Sequence, residues 1–135
     1  MIMPETNAIK KEVIYKILII DDNASNVLLL EKMLKINGYN DIRTSTDARD
    51  TVELCKTYIP DLLLLDFRMP YLDGFEVINA LHAINIHTIP IIMISAENDK
   101  VYYEKALQHG AKDFITKPFN FSEALLKIKR CLYEN

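Results

Sequence analysis

Five polar residues stand where short apolar runs stop. "YKILII" runs into Asp21 and Asp22, "LLLL" into Asp66, "IIMI" into Ser95, and "DFIT" into Lys117 and Pro118. If those runs are neighbouring strands, three carboxylates, one hydroxyl and one ammonium share a single rim. Three carboxylates so placed repel by about 4 kcal/mol per pair at ~4 Å and an effective dielectric near ~20, so something must compensate them. No His or Cys occurs at these positions. An all-oxygen set favours a hard cation, and Mg²⁺ held by a few carboxylates, waters and a phosphoryl oxygen suits it better than zinc. A carboxylate beside such a cation can attack phosphorus to make an acyl phosphate, with the metal shielding the transferring group. Lys117 then pairs with one phosphoryl oxygen and Ser95 donates a hydrogen bond to another. Each residue alone is an ordinary strand-end or surface residue; the joint pattern carries the argument.

That rim requires particular elements behind it. The runs at 15–20, 61–66 and 89–94 lack polar alternation and read as strands covered on both faces. Weaker strands are expected at 40–44 and 113–116. Helical periods lie between them. Val27, Leu30 and Leu34 form a stripe after Asn23, with Gly38 placed as a left-handed cap. Thr46 or Asp47 caps a second helix carrying Ala48, Val52 and Cys55, where Cys55 is a small core hydrophobe, and Pro60 closes the segment. A third helix after Gly74 turns Val77, Leu81 and Ile84 inward, and a fourth spans about 98–109 and stops at Gly110. In the last, Asn120 and Glu123 have capping-box spacing and Phe121, Leu125, Ile128 and Leu132 face inward. Five alternating β/α units imply a doubly wound α/β fold, whose ligands gather outside the carboxyl ends of the strands.

Length and charge narrow the classes further. A chain of 135 residues, half of them apolar, suits one domain with one core. A net charge of −3 offers no footprint for unaided binding of nucleic acid or an anionic membrane. Cys55 and Cys131 have no metal-site or disulfide-scaffold spacing. The start carries Glu5 and Glu12 and no apolar signal core, so a cytoplasmic protein is expected, with a tail over 1–13 ahead of a domain over 14–133.

The stretches "ILIIDDN", "LLLLDFRMPYLDGFE", "PIIMISAEND" and "GAKDFITKPF" together resemble the receiver domain of bacterial two-component response regulators, over about residues 14 to 133. The resemblance implies a flavodoxin-like five-stranded parallel sheet in the order 2-1-3-4-5, with five helices on both faces. It implies a signalling switch in a phosphorelay, with intrinsic self-phosphorylation and self-dephosphorylation chemistry and no further enzyme activity. Asp66 is then the phosphoacceptor, taking its phosphoryl group from a histidine of a sensor kinase or phosphotransfer protein. Asp22, Asp66 and the backbone carbonyl of Arg68 hold Mg²⁺, and Asp21 acts through water. The Lys117–Pro118 bond is cis. Ser95 moves toward the phosphoryl group and frees space for Phe114 to rotate, although Phe at 114 lacks the phenolic hydroxyl of many relatives. Moving such a switch from ~1:99 to 99:1 takes roughly 5.5 kcal/mol, so a partial shift completed by a partner or by dimerisation is expected. The face of the fourth helix, fifth strand and fifth helix, bearing Lys105, Asp113, Lys127 and Arg130, is the dimer candidate.

Arg68 and Glu97 stand two residues past Asp66 and Ser95, and a pairing between them across the mouth is expected to restrict the attacking water. His82, His87 and His109 receive no role. Two other classes use similar residues. A haloacid-dehalogenase-like phosphatase places its nucleophile in D-x-D after the first strand, whereas this strand ends D-D-N. A flavin carrier needs a phosphate loop there, which acids oppose. The last expected helix ends near Asn135, which suits either a free-standing regulator or the front piece of a longer one.

Overall fold

The structure, a computed structural model, describes residues 13–133, apart from the side chains of residues 97, 98 and 100. Of the expected tail, only Val13 falls within the described residues, as an exposed coil residue. The elements are β1 (Lys16–Ile20), α1 (Ala24–Ile36), β2 (Asp41–Ser45), a 3-10 turn (Ala48–Asp50) entering α2 (Thr51–Thr57), and β3 (Leu62–Asp66). They continue with α3 (Gly74–Ala83), β4 (Ile91–Ala96), a 3-10 segment (Glu97–Tyr102) entering α4 (Tyr103–Gln108), β5 (Asp113–Lys117) and α5 (Phe121–Tyr133). All strand pairs are parallel, in the order β2-β1-β3-β4-β5, as the sequence pattern and the resemblance led one to expect.

The apolar runs become central strands because both of their faces are covered. Ile17, Ile19, Leu62, Leu64, Ile92, Ile94 and Ile115 enter one core layer with Val27, Leu30 and Leu34 of α1 and Ala124 and Ile128 of α5. Leu18, Ile20, Leu63, Leu65, Met93 and Phe114 enter the other with Val77, Ile78 and Leu81 of α3 and Ala106 of α4. Each leucine of "LLLL" is wholly buried, at about 1.5–3 kcal/mol apiece for the apolar transfer. Cys55 and Cys131 lie in opposite layers, and burial pushes the Cys55 thiol up to about 11, so it packs as a hydrophobe.

Short polar side chains start the helices. Asn23 accepts from the N–H groups of Ser25 and Asn26, Asp47 from that of Arg49, Asn120 from that of Glu123, and Asp73 forms a full capping box with Glu76. Gly38 has φ +91, the left-handed conformation expected after α1.

Three expectations are corrected. Ile84 caps α3 and is 44% exposed, because Asn85 at φ +63 turns the chain away from the core. The fourth helix is α-helical only over Tyr103–Gln108; its first part winds as a 3-10 segment tied to the rim through Asp99. Phe121 is 44% exposed, since it stands at the first position of α5 above the rim where β5 has ended; Ile128 and Leu132 are buried as expected, with Ala124 and Cys131 beside them and Leu125 packed against the same core. Among the described residues, no helix is long and apolar enough to cross a membrane.

Candidate functional site

Parallel strands in register end on a common edge. Ile20 pairs with Leu65, so Asp21 and Asp66 follow at the same level, and Ser95 and Ala96 pair with Thr116 and Lys117. Side chains alternate between the two faces of a sheet, and this period decides which of the rim residues meet. Asp21 continues the Ile17–Ile19 series, Asp66 the Leu62–Leu64 series and Lys117 follows Ile115, all on the α1/α5 side. Ser95 follows Ile91 and Met93 on the other side, the side that also buries Phe114.

The three residues of like parity form the centre of the site. Lys117 Nζ stands 3.2 Å from Asp21 Oδ2 and 3.2 Å from Asp66 Oδ1. Asp21 is fully buried, Asp66 is 3% exposed and Asp22 is exposed. The backbone N–H of Asn23 donates to Asp21 Oδ1 at 2.9 Å, so the residue that caps α1 also aims the acid. Asp21 Oδ2 is buried and has no directed hydrogen bond, though Lys117 lies near it. One carboxylate oxygen from each of Asp21, Asp22 and Asp66 lies within 4.8 Å of the others. An orphaned buried oxygen within an all-carboxylate set fits a hard divalent cation.

Electrostatics agree with the crowding. Burial first, and then the charge of Asp21, push the Asp66 carboxyl up to about 8, against the pull of Lys117. Burial works against the charge of Lys117, but Asp66 and Asp21 outweigh it and raise the ammonium above its ordinary value.

Ser95 is buried and its Oγ donates to Asp99 Oδ2 at 2.8 Å, not to the centre. Arg68 pairs with Asp99, a residue the sequence reading had not paired with it. Its Nη2 donates to Asp99 Oδ1 at 2.7 Å and its Nε to both oxygens at 3.1 and 3.0 Å, while the Glu97 side chain lies outside the described residues. Asp99 was the functional neighbour missed in the sequence; an acid four residues past the strand-end serine was its only signal. Asp22, Asn23, Asn26, Asp66, Arg68, Ser95, Asp99 and Lys117 contribute to one hollow of about 200 Å³. A larger hollow of about 830 Å³, lined by His82 and His87 among others, lies at the opposite ends of the strands, remote from the carboxylates.

Phe114 is buried with its ring centroid 5.3 Å from that of Tyr103, and the Lys117–Pro118 bond is cis. On the expected dimer face, Lys127 is engaged internally: its Nζ donates to the Phe114 carbonyl at 2.6 Å and pairs with Glu123 at 3.2 Å.

The family model described as "Response regulator receiver domain" matches residues 17–129. The alkaline phosphatase synthesis transcriptional regulatory protein PhoP of Bacillus subtilis is 37% identical over 117 residues, which cover 87% of this chain and 48% of that protein. The transcriptional regulatory protein PrrA of Mycobacterium tuberculosis is 30% identical over 117 residues, covering 87% of this chain and 49% of the relative. The chain thus spans about half the length of these relatives. Among solved structures, the receiver domain of the Francisella response regulator 1452 superposes with a TM-score of 0.80 at 28% identity, covering 89% of this chain and 98% of that one. The receiver domain of NtrX from Brucella abortus gives a TM-score of 0.81 at 28% identity, covering 89% and 100%. With its sheet order, its rim of acids and a family match across most of its length, this chain belongs to the response regulator receiver domains.

Proposed function

We propose that this domain is the phosphoacceptor of a two-component phosphorelay and that Asp66 is the residue modified. The observation that carries the reading is the placement of Asp66, a nearly buried carboxylate at a strand mouth 3.2 Å from Lys117 and grouped with Asp21 and Asp22. The leucines behind it hold the nucleophile rigid while the rim leaves it reachable. Asp66, Asp22 and the Arg68 carbonyl would hold Mg²⁺ directly, with Asp21 acting through water. Bound there, Mg²⁺ would supply the positive charge that keeps Asp66 ionised and screens the transferring group.

In the transfer, an Asp66 carboxylate oxygen forms a bond to phosphorus as the P–N bond to the donor histidine breaks, and the imidazole leaves. Lys117 pairs with a phosphoryl oxygen and Ser95 turns to donate to another. Water later cleaves the acyl phosphate and restores Asp66. The partner is a sensor histidine kinase or a histidine phosphotransfer protein in the cytoplasm. Displacement of Ser95 and Phe114 carries the change to the α4–β5–α5 face, which would serve a homodimer or an output module.

Incubation with acetyl phosphate and Mg²⁺ tests the reading by intact mass. A single gain of about 80 Da, absent from Asp66→Asn, is expected; a protein that never gains it does not do this chemistry.

A further inference from the structure

Asp99 binds both of the donors that flank the mouth of the site. It is 2% exposed, accepts from Ser95 Oγ at 2.8 Å and takes the forked guanidinium of Arg68 at 2.7 to 3.1 Å. Arg68 first, then Ser95 and the Ala96 backbone N–H, hold its carboxyl below the usual range, so it is ionised at neutral pH. Ser95 is committed to Asp99 although it lines the same hollow as Asp66. Arg68 stands two residues past Asp66 with its guanidinium largely exposed, and it lines the same small hollow.

We infer that Asp99 is a positioning residue that locks the unmodified state: it engages the Ser95 hydroxyl and the Arg68 guanidinium, and both transfer to the phosphoryl group when Asp66 is modified. The inference rests on the reading of Asp66 as phosphoacceptor.

The competition is one of charge. A phosphoryl group brings about −1.5 to −2 charges and three strong acceptor oxygens, against a single charge and two oxygens on Asp99. Guanidinium suits either planar or tetrahedral anions by paired N–H donors. Once both donors leave, Asp99 is a buried carboxylate that has lost the two side-chain partners found for it among the described residues, a costly arrangement. Its relief is outward movement of the 3-10 segment Glu97–Tyr102. That segment continues directly into Tyr103, whose ring packs on Phe114. The lock therefore joins the reactive mouth to α4 through one carboxylate, and the two arrangements differ in affinity for the modified site as any switch requires.

The test uses the whole chain with Mg²⁺ and beryllofluoride, which mimics an aspartyl phosphate. Beryllofluoride binding is titrated by NMR in the parent and in Asp99→Asn, together with thermal melts. Releasing Ser95 and Arg68 is expected to tighten binding by roughly tenfold even where the melting temperature falls, a combination a merely structural role would not give. Ser95→Ala in the Asp99→Asn background is expected to remove most of that gain. Unchanged or weaker binding by a folded Asp99→Asn overturns the proposal. Should that variant not fold, the parent protein decides alone: in its beryllofluoride complex the Arg68–Asp99 and Ser95–Asp99 hydrogen bonds are expected to be broken. Their persistence there overturns the lock while leaving the phosphoacceptor reading intact. A parent that binds no beryllofluoride and gains no mass from acetyl phosphate overturns both.

Discussion

Asp66 carries opposite demands: it must be desolvated enough to be held rigidly and charged enough to attack. Its carboxyl is pushed up to about 8 by burial and by Asp21, so without a cation it keeps a proton that the unfolded chain, near 3.8, would release at neutral pH. Linkage then sets the sign. The folded state binds the extra proton between those values, so the contribution of Asp66 to stability is full below the unfolded value and is lost as pH rises toward about 8. In EDTA, the stability of Asp66→Asn relative to the parent should therefore climb from pH 4 to pH 8, by on the order of a few kcal/mol in urea titrations. Added Mg²⁺ should shrink the difference at pH 8. Lys117 tests the same balance from the other side. Because its ammonium competes with a cation for Asp21 and Asp66, Lys117→Met should tighten Mg²⁺ binding by roughly tenfold in calorimetry while slowing labelling by acetyl phosphate.

At the scale of elements, the loop from β3 to α3 shows how closely the rim is built. A Cβ on Gly74 would fall 2.5 Å from Met93 Sδ and 3.2 Å from the Phe67 Cα. The methionine end can yield but the backbone cannot, so Gly74→Ala should cost about 1–3 kcal/mol in urea denaturation. Asp73 beside it is a helix cap whose side chain receives the Glu76 N–H at 2.8 Å. Asp73→Ala should lower stability by about 1 kcal/mol, read as a shift of the urea midpoint, and should leave Asp66 able to accept a phosphoryl group. The second aspartate of the stretch "DFRMPYLDG", Asp73, thus holds α3 in place, whereas the first, Asp66, faces the site.

Across the whole molecule, the ends of the described chain are tied together far from the rim. Tyr39, following α1, shares a 2.6 Å hydrogen bond with Tyr133 at the end of α5, and the ring of Tyr15 before β1 lies 5.4 Å from that of Tyr133. Burial first, and then Tyr133, hold the Tyr39 hydroxyl protonated far above the neutral range. Removing one hydroxyl strands the other, so Tyr133→Phe should cost about 1 kcal/mol. The Tyr39→Phe/Tyr133→Phe double variant should cost less than the sum of the two single changes in a double-mutant cycle. The same end of the molecule holds the His82 and His87 rings, 4.7 Å apart, which accounts for their distance from the carboxylates.

The sequence by itself determined the five β/α units, the parallel sheet and the strand-end residues Asp21, Asp22, Asp66, Ser95 and Lys117, but not Asp99. Apolar runs, caps such as Asn23 and Asp73, and polar residues at strand ends are local signals, and covered strands that share a direction must bring their ends together. It did not determine the partners on that rim. Which of Asp21, Asp66, Ser95 and Lys117 touch depends on strand register and on the two-residue alternation across the sheet, so Ser95 came to face Asp99 rather than Asp66. Arg68 met Asp99 for a different reason: the 3-10 winding after β4 turned that carboxylate inward against the mouth. The Arg68–Asp99 contact joins segments 31 residues apart, which tertiary packing alone decides.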